Sequence, residues 1–261
     1  MHSSPTGFSD LERPIIQRAL VSTCVPIIQC NGTDAAFRGT GPLLRTDDGC
    51  YLLTARHVVT DVPRDQLGVP LGRWRGGFVP QGRGRVRLGR SHRSSGRTDL
   101  PASALHQVIR TWRVLDLSDI RQATSGTTAR FIVAGFPRVT GQLDVESANL
   151  HATQLTQVYT SPYLGPLPSE RDDDDFFLQY GRTAKGAAGE PKATLPLEGI
   201  SGAMVWAVAE PIVWDARSVL QLAGIQVAYT ESGYLRCKRW DAMARLLDQI
   251  HVARARPNSH A

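Results

Sequence analysis

The chain has 261 residues, 41% of them apolar and 21% charged, a balance that excludes wholesale disorder and leaves room for a core of normal size without disulfide staples. The net charge of +6 is not evenly spread: eight arginines and no acid lie between Gln66 and Thr98, so the rest of the sequence sums to −2. No apolar run approaches the roughly 18–20 residues of a membrane-crossing helix, and no basic-then-apolar leader precedes the first polar residues, so the expected setting is cytoplasmic with no membrane partner.

Residues 1–10 are polar and contain Pro5 and Gly7, as in a loose tail. Ser9 or Asp10 can cap a short helix that runs to about Leu20. Short β-type runs follow, bounded by Gly, Pro, Asp or Ser: Val25–Cys30, Phe37–Leu44, Tyr51–Thr54, Arg83–Leu88, Arg110–Leu115 and Ala129–Ala134. They continue with Gln154–Tyr159, Phe176–Tyr180, Ala203–Val208 and Leu220–Ala228. Only Lys238 to about Ala253 has a helical period, with Trp240, Met243, Ala244, Leu247 and Ile250 three or four residues apart. Many short strands and one closing helix predict an all-β chain, a barrel or sandwich or two in tandem. The polar stretch from Asp116 to Thr128 is the natural boundary between halves.

Cys24, Cys30, Cys50 and Cys237 include no C-x-x-C pair and are expected to be free thiols, mostly buried. The seven histidines show no metal-ligand spacing, so no metal site is expected. The acidic run Asp172–Asp175 reads as a solvated loop.

Three segments carry chemistry. In Thr54-Ala55-Arg56-His57-Val58 a β-run delivers an imidazole just past a strand end. Thr98-Asp99-Leu100 places an acid at the close of the arginine-rich segment. In Gly199-Ile200-Ser201-Gly202-Ala203 a serine sits between glycines, which allows a tight turn that exposes the hydroxyl and gathers N–H groups around one point.

Together these segments resemble the chymotrypsin-like (trypsin-like) serine peptidases, over about residues 20 to 252. The order His, Asp, Ser is the family's, with gaps of 42 and 102 residues. Phe131–Pro137 is similar to the strand ending in Gly-Tyr/Phe-Pro of the bacterial members, and Leu222–Ala228 to the L-x-G-I-x-S strand that pairs with bound peptide. The resemblance implies two tandem six-stranded β-barrels with a C-terminal helix. Its divisions would be residues 1–19 (tail and short helix), 20–115 (first barrel, with His57 and Asp99), 129–237 (second barrel, with Ser201) and 238–253 (helix). It implies a serine endopeptidase in which His57 is the general base, Asp99 orients it, Ser201 is the nucleophile and the Gly199 and Ser201 N–H groups form the oxyanion hole, with no cofactor. Asp116 and Asp119 are the substitutes should Asp99 be only a solvated loop acid.

The sequence departs from the family at Arg56, Pro101 and Met204, and Val58 stands where the secreted branch has a cysteine. An intracellular, bacterial-type, stand-alone member follows, restrained by a regulatory protein or another trigger. The pocket for the residue before the scissile bond would be walled by Leu195 and by Val227, Ala228 and Tyr229, which lack the acid a buried Lys or Arg needs; small or medium uncharged side chains such as Ala, Val or Leu are expected. The rival expectation is an inactive, peptidase-like binding module with an Arg-rich docking surface. Arg83, Arg85 and Arg87 alternate on a candidate hairpin within Arg73–Arg97, a less favoured site for an anionic partner such as nucleic acid, with only Trp74 and Phe78 interleaved.

Overall fold

A computed structural model describes residues 12–31, 34–47, 49–60, 62–63, 66–70, 108–123, 130–140, 142–144, 149–151, 155–185, 190–208, 220–230 and 233–255. Asp99, Pro101, Trp74, Phe78 and the arginines from Arg73 to Arg97 lie outside them.

Helix α1 (Glu12–Val21) seats Ile16 and Leu20, one turn apart, in the largest core cluster. Six short strands follow: β1 (Val25–Asn31), β2 (Asp34–Gly41), β3 (Leu43–Thr46), β4 (Gly49–Leu52), β5 (Leu67–Gly68) and β6 (Val114–Asp116), with the single-turn helix α2 (Arg56–Val59) after β4. They form two three-stranded sheets, in the orders β2-β1-β5 and β4-β3-β6. Residues 108–111 are helical where a strand from Arg110 was expected: Trp112 closes that turn on the Val108 carbonyl and bonds its indole N–H to the Pro70 carbonyl, so extended backbone begins only at Val114.

The second half contains β7 (Phe131–Gly135), β8 (Gln142–Asp144), β9 (Asn149–His151), β10 (Thr156–Thr160), β11 (Asp175–Gln179), β12 (Thr183–Lys185), β13 (Pro191–Ala193), β14 (Met204–Val208), β15 (Leu220–Thr230) and β16 (Tyr234–Arg239). Six of them make one sheet in the order β10-β7-β14-β15-β16-β11, every neighbouring pair antiparallel. All five residues of β14 are buried, as suits a strand covered on both faces. β16 alternates instead, burying Leu235 and Cys237 between half-exposed neighbours. Helix α3 (Trp240–Ala255) closes the chain; it starts at Trp240, because Lys238 and Arg239 still pair within the sheet. Among the described residues the fold is all-β, with six strands in the first half, a six-stranded sheet in the second and a long helix at the end, in the all-β class that the sequence predicts. No helix among the described residues is long and apolar enough to cross a membrane.

The largest core cluster draws on both halves, joining Leu43, Leu44 and Leu115 to Ile132, Met204, Ile225 and Trp240. A second lies within the later half around Leu178, Leu197, Ile200, Val205, Leu235 and Cys237. Of the four free thiols, Cys24 and Cys237 are buried, Cys50 is half-buried and Cys30 is exposed, so the expected burial holds for two.

The acidic run is a solvated loop only in its first half, where Asp172 and Asp173 are exposed. The Asp175 carboxylate is fully enclosed at the start of β11 and faces Arg236 at 2.5 Å and Lys238 at 2.8 Å across the sheet. Asp172 joins Lys238 and Asp174 joins Arg245 of α3, so three of the four acids tie a sheet edge to its neighbouring strand and to the closing helix. The paired acids and cations are 61 to 71 residues apart in sequence, which is why the charge pattern reads as a loop.

Candidate active site

The His57 segment follows β4 through Leu53-Thr54-Ala55, as its strand-end position predicts. Val58 and Thr60 donate their N–H groups to the Ala55 and Arg56 carbonyls, which closes the one turn of α2. Val58 is the anchor: fully buried, it packs with Ile27, Ala55, Val62 and Leu67, while the preceding Arg56 and His57 face solvent. Partial burial of the His57 ring, and then the positive charge of Arg38, lower its pKa from the ordinary imidazole value. Both effects favour the neutral imidazole, the form able to accept a proton.

Ser201 is half-buried on the tight turn that leads into β14, between Gly199 and Gly202 at φ of +94° and +92°, the left-handed region that glycine takes without strain. Fully buried Ile200 and Leu197 anchor this turn. Four successive carbonyls along it are held. The Arg138 N–H takes that of Glu198 and the Thr40 hydroxyl takes that of Gly199 at 3.0 Å. The Ala203 N–H takes that of Ile200 and the Thr40 N–H takes that of Ser201, each at 2.9 Å.

A trans peptide points its N–H opposite its C=O. Fixing the Glu198 carbonyl on Arg138 therefore directs the Gly199 N–H away from Arg138, and fixing the Ile200 carbonyl on Ala203 does the same for the Ser201 N–H. Neither amide has a hydrogen-bond partner among the described residues. Two oriented, unoccupied donors beside a serine hydroxyl are able to stabilise negative charge developing on a substrate oxygen.

The two segments are joined through β2. Thr40 is fully buried; besides its two bonds to the serine turn, its hydroxyl accepts the Phe136 N–H at 3.1 Å and its carbonyl accepts the Thr54 hydroxyl at 2.9 Å, three residues before His57. Gly39 lies between the segments: a Cβ there would meet both Val58 methyls at 2.6 Å and the Ser201 carbonyl at 2.8 Å. The His57 turn and the Ser201 turn thus share one backbone wall.

Asp99 falls outside the described residues. The substitute acid Asp116 is already committed, accepting the Ser118 N–H and hydroxyl at 3.2 and 2.9 Å. Those hydrogen bonds lower its pKa.

Of the expected pocket positions, Leu195 and Tyr229 come together through Tyr180, whose hydroxyl donates to the Leu195 carbonyl and whose ring meets Tyr229 edge-on at 5.5 Å. Val227 is a bulge residue of β15 that packs into the cluster beneath the His57 turn, and Ala228 pairs with Arg236. Sequence reading passed over Thr40, Gly39, Arg38 and Gln226. Gln226 carried a signal, as the one polar side chain in the Leu222–Ala228 run; Thr40 carried none.

No protein-family model and no curated protein matches the chain. Among solved structures it is similar to the inactivated protease paralogue S-I1 of the scabies mite, with 14% identity and a TM-score of 0.47 over 90% of this chain and 96% of that one. It is similar to the Rv3671c protease of M. tuberculosis in an inactive form, with 14% identity and a TM-score of 0.49 over 96% and 98% of the two chains. A thermostable serine protease, AL20, of an extremophilic microorganism gives 10% identity and 0.41 over 84% and 91%.

Proposed function

We propose that this chain is a serine endopeptidase of the chymotrypsin-like kind, cleaving protein or peptide substrates through an acyl-enzyme. The observation that carries the reading is the serine turn: the N–H groups of Gly199 and of Ser201 itself have their directions fixed by hydrogen bonds on the far side of their peptides. In the first step His57 takes the hydroxyl proton as Ser201 Oγ attacks the scissile carbonyl. The Gly199 and Ser201 amides receive the oxyanion, and His57 returns the proton to the leaving amine. Water then attacks the acyl carbon while His57 takes its proton, the bond to Ser201 Oγ breaks to release the acid, and His57 returns the proton to the Ser201 oxygen. In this reading Asp99 keeps the imidazole in the tautomer that accepts from Ser201, the first half (20–115) supplies base and acid, and the second (129–237) supplies the nucleophile and the pocket.

Arg38 favours a second reading. A cation whose charge acts on His57 opposes the imidazolium that forms during attack, which suits a binding module that has lost turnover. A fluorophosphonate probe separates the two. Labelling of the wild-type protein that disappears in Ser201→Ala supports the peptidase; absence of labelling between pH 6 and 9 supports the binding module.

A further inference from the structure

Between the end of α1, strand β6 and the sheet of the second half lies a cavity of about 430 Å³, a size typical of small-molecule sites. Leu20, Leu115, Trp206 and Leu220 wall it, and all four belong to the core cluster that draws on both halves of the chain. Such interiors are packed as densely as organic crystals, with few voids larger than a water molecule. A space of this size at the seam is well beyond an ordinary packing defect.

The polar groups of the wall set the charge that the cavity favours. Arg113 and Arg121 line it, both exposed, and neither guanidinium has a hydrogen-bond or ion-pair partner among the described residues. Their backbones are fixed from opposite sides. The Arg113 N–H donates to the Ser22 carbonyl just past α1, and the Arg121 carbonyl accepts the Leu222 N–H of β15, each at 2.8 Å. The Thr23 hydroxyl on the same wall donates to the Leu20 carbonyl at 2.8 Å. The acid of the wall, Asp116, already accepts the Ser118 N–H and hydroxyl, and it lies beside Arg45 in the pairing of β6 with β3.

Two arginines against one acid leave a surplus of one positive charge at an otherwise apolar cavity. A phosphate monoester brings nearly two negative charges and would set the second against Asp116. An amine would meet two guanidinium groups. A neutral apolar molecule would gain from the interior and leave both arginines unanswered. A carboxylate on an apolar body answers both demands, because its two oxygens accept from the guanidinium groups while the body covers Leu20, Trp206 and Leu220.

We propose that this cavity is a binding site for a small organic monocarboxylate, its head at Arg113 and Arg121 and its apolar body in the seam between the two halves. None of these residues belongs to the His57 or Ser201 turns, so the assignment stands whether or not the chain is a peptidase. Three probes that share one body and differ in the head test it. Phenylbutyrate, phenylbutanol and phenylbutylamine are titrated calorimetrically into the full chain, into the Arg113→Gln, Arg121→Gln double variant and into Ala19→Phe. Ala19 lines the cavity and is half-buried on α1, so the added ring fills the space without deleting a core side chain. The wild type should bind phenylbutyrate about tenfold tighter than phenylbutanol, and phenylbutylamine more weakly than either. The double variant should bring the acid down to the alcohol, and Ala19→Phe should abolish binding of both. Thermal melts check each fold; the double variant, changed only at exposed positions, decides the matter should the ring disturb α1. No binding of phenylbutyrate, equal affinities for acid and alcohol in the wild type, a preference that survives in the folded double variant, or undiminished binding in a folded Ala19→Phe overturns the assignment.

Discussion

Thr40→Val is the sharpest test of the site's architecture, because it exchanges a hydroxyl for a methyl at nearly constant volume in a side chain with no solvent exposure. The hydroxyl serves two partners at once, the Gly199 carbonyl at 3.0 Å and the Phe136 N–H at 3.1 Å, and both are left buried and unpaired. An orphaned buried group costs about 1–3 kcal/mol, so the two together cost about 2–6. The new methyl returns roughly 0.8 kcal/mol. The net loss should be about 1–5 kcal/mol, read from the urea midpoint at unchanged m-value. Thr40→Ser keeps the hydroxyl and should recover most of it. Freed of its clamp, the Gly199–Ile200 peptide no longer fixes the amides on either side, and kcat on a fluorogenic peptide should fall between about tenfold and the 10²–10³ typical of a lost oxyanion donor. A Thr40→Val protein within about 0.5 kcal/mol of wild type would mean that the clamp contributes nothing and that the serine turn is held without the Thr40 hydroxyl.

Three further outcomes are expected. Because burial and Arg38 lower the His57 pKa, its neutral form persists to lower pH than that of a free imidazole; kcat/KM should rise through an ionisation below the reference 6.5, and Arg38→Gln should move that limb to higher pH in stopped-assay profiles. Gly39→Ala inserts a Cβ 2.6 Å from the Val58 methyls and 2.8 Å from the Ser201 carbonyl; it should cost about 1–3 kcal/mol in a urea melt and lower kcat more than it raises KM. For Asp175, burial raises the pKa but the bonds from Arg236 and Lys238 outweigh it, so its folded pKa is depressed and its stabilising effect is present at neutral pH and lost as pH falls through the acid range. Asp175→Asn should therefore lower the melting temperature at pH 7 and narrow its gap to wild type near pH 3, as seen by circular dichroism.

The strands were legible in the sequence wherever local pattern and packing agree. β14, β15 and α3 fall within a few residues of their expected spans, because continuous apolar runs and a 3.6-residue period leave few alternatives. β16 was not read as a strand, since Tyr234, Arg236 and Lys238 present polar groups whose partners lie on β11 and its leading loop. Residues 110–111 were read as extended, as the start of a run that includes Thr111, Trp112 and Val114, whereas the bonds made by Trp112 decide for a helical turn. At the site, glycine spacing revealed the serine turn, but not the threonine that holds it: Thr40 is one of many threonines, and its role depends on partners 96 and 159 residues away.

The two buried cysteines give this chain an internal clock. Cys24, its thiol bonded to the Ala134 carbonyl and pushed by burial to a pKa of about 12, lies in the cluster that joins the two halves of the sequence; Cys237 lies in the cluster behind the serine turn. Neither can react as thiolate until its surroundings open, so the rate at which each is trapped by a disulfide reagent reports the opening of its own cluster. Cys30 and Cys50, nearer the surface, react first and can be blocked beforehand. Peptide mapping of the trapped sites against denaturant would then separate parting of the halves from melting of the serine-bearing sheet, with no probe added to the protein.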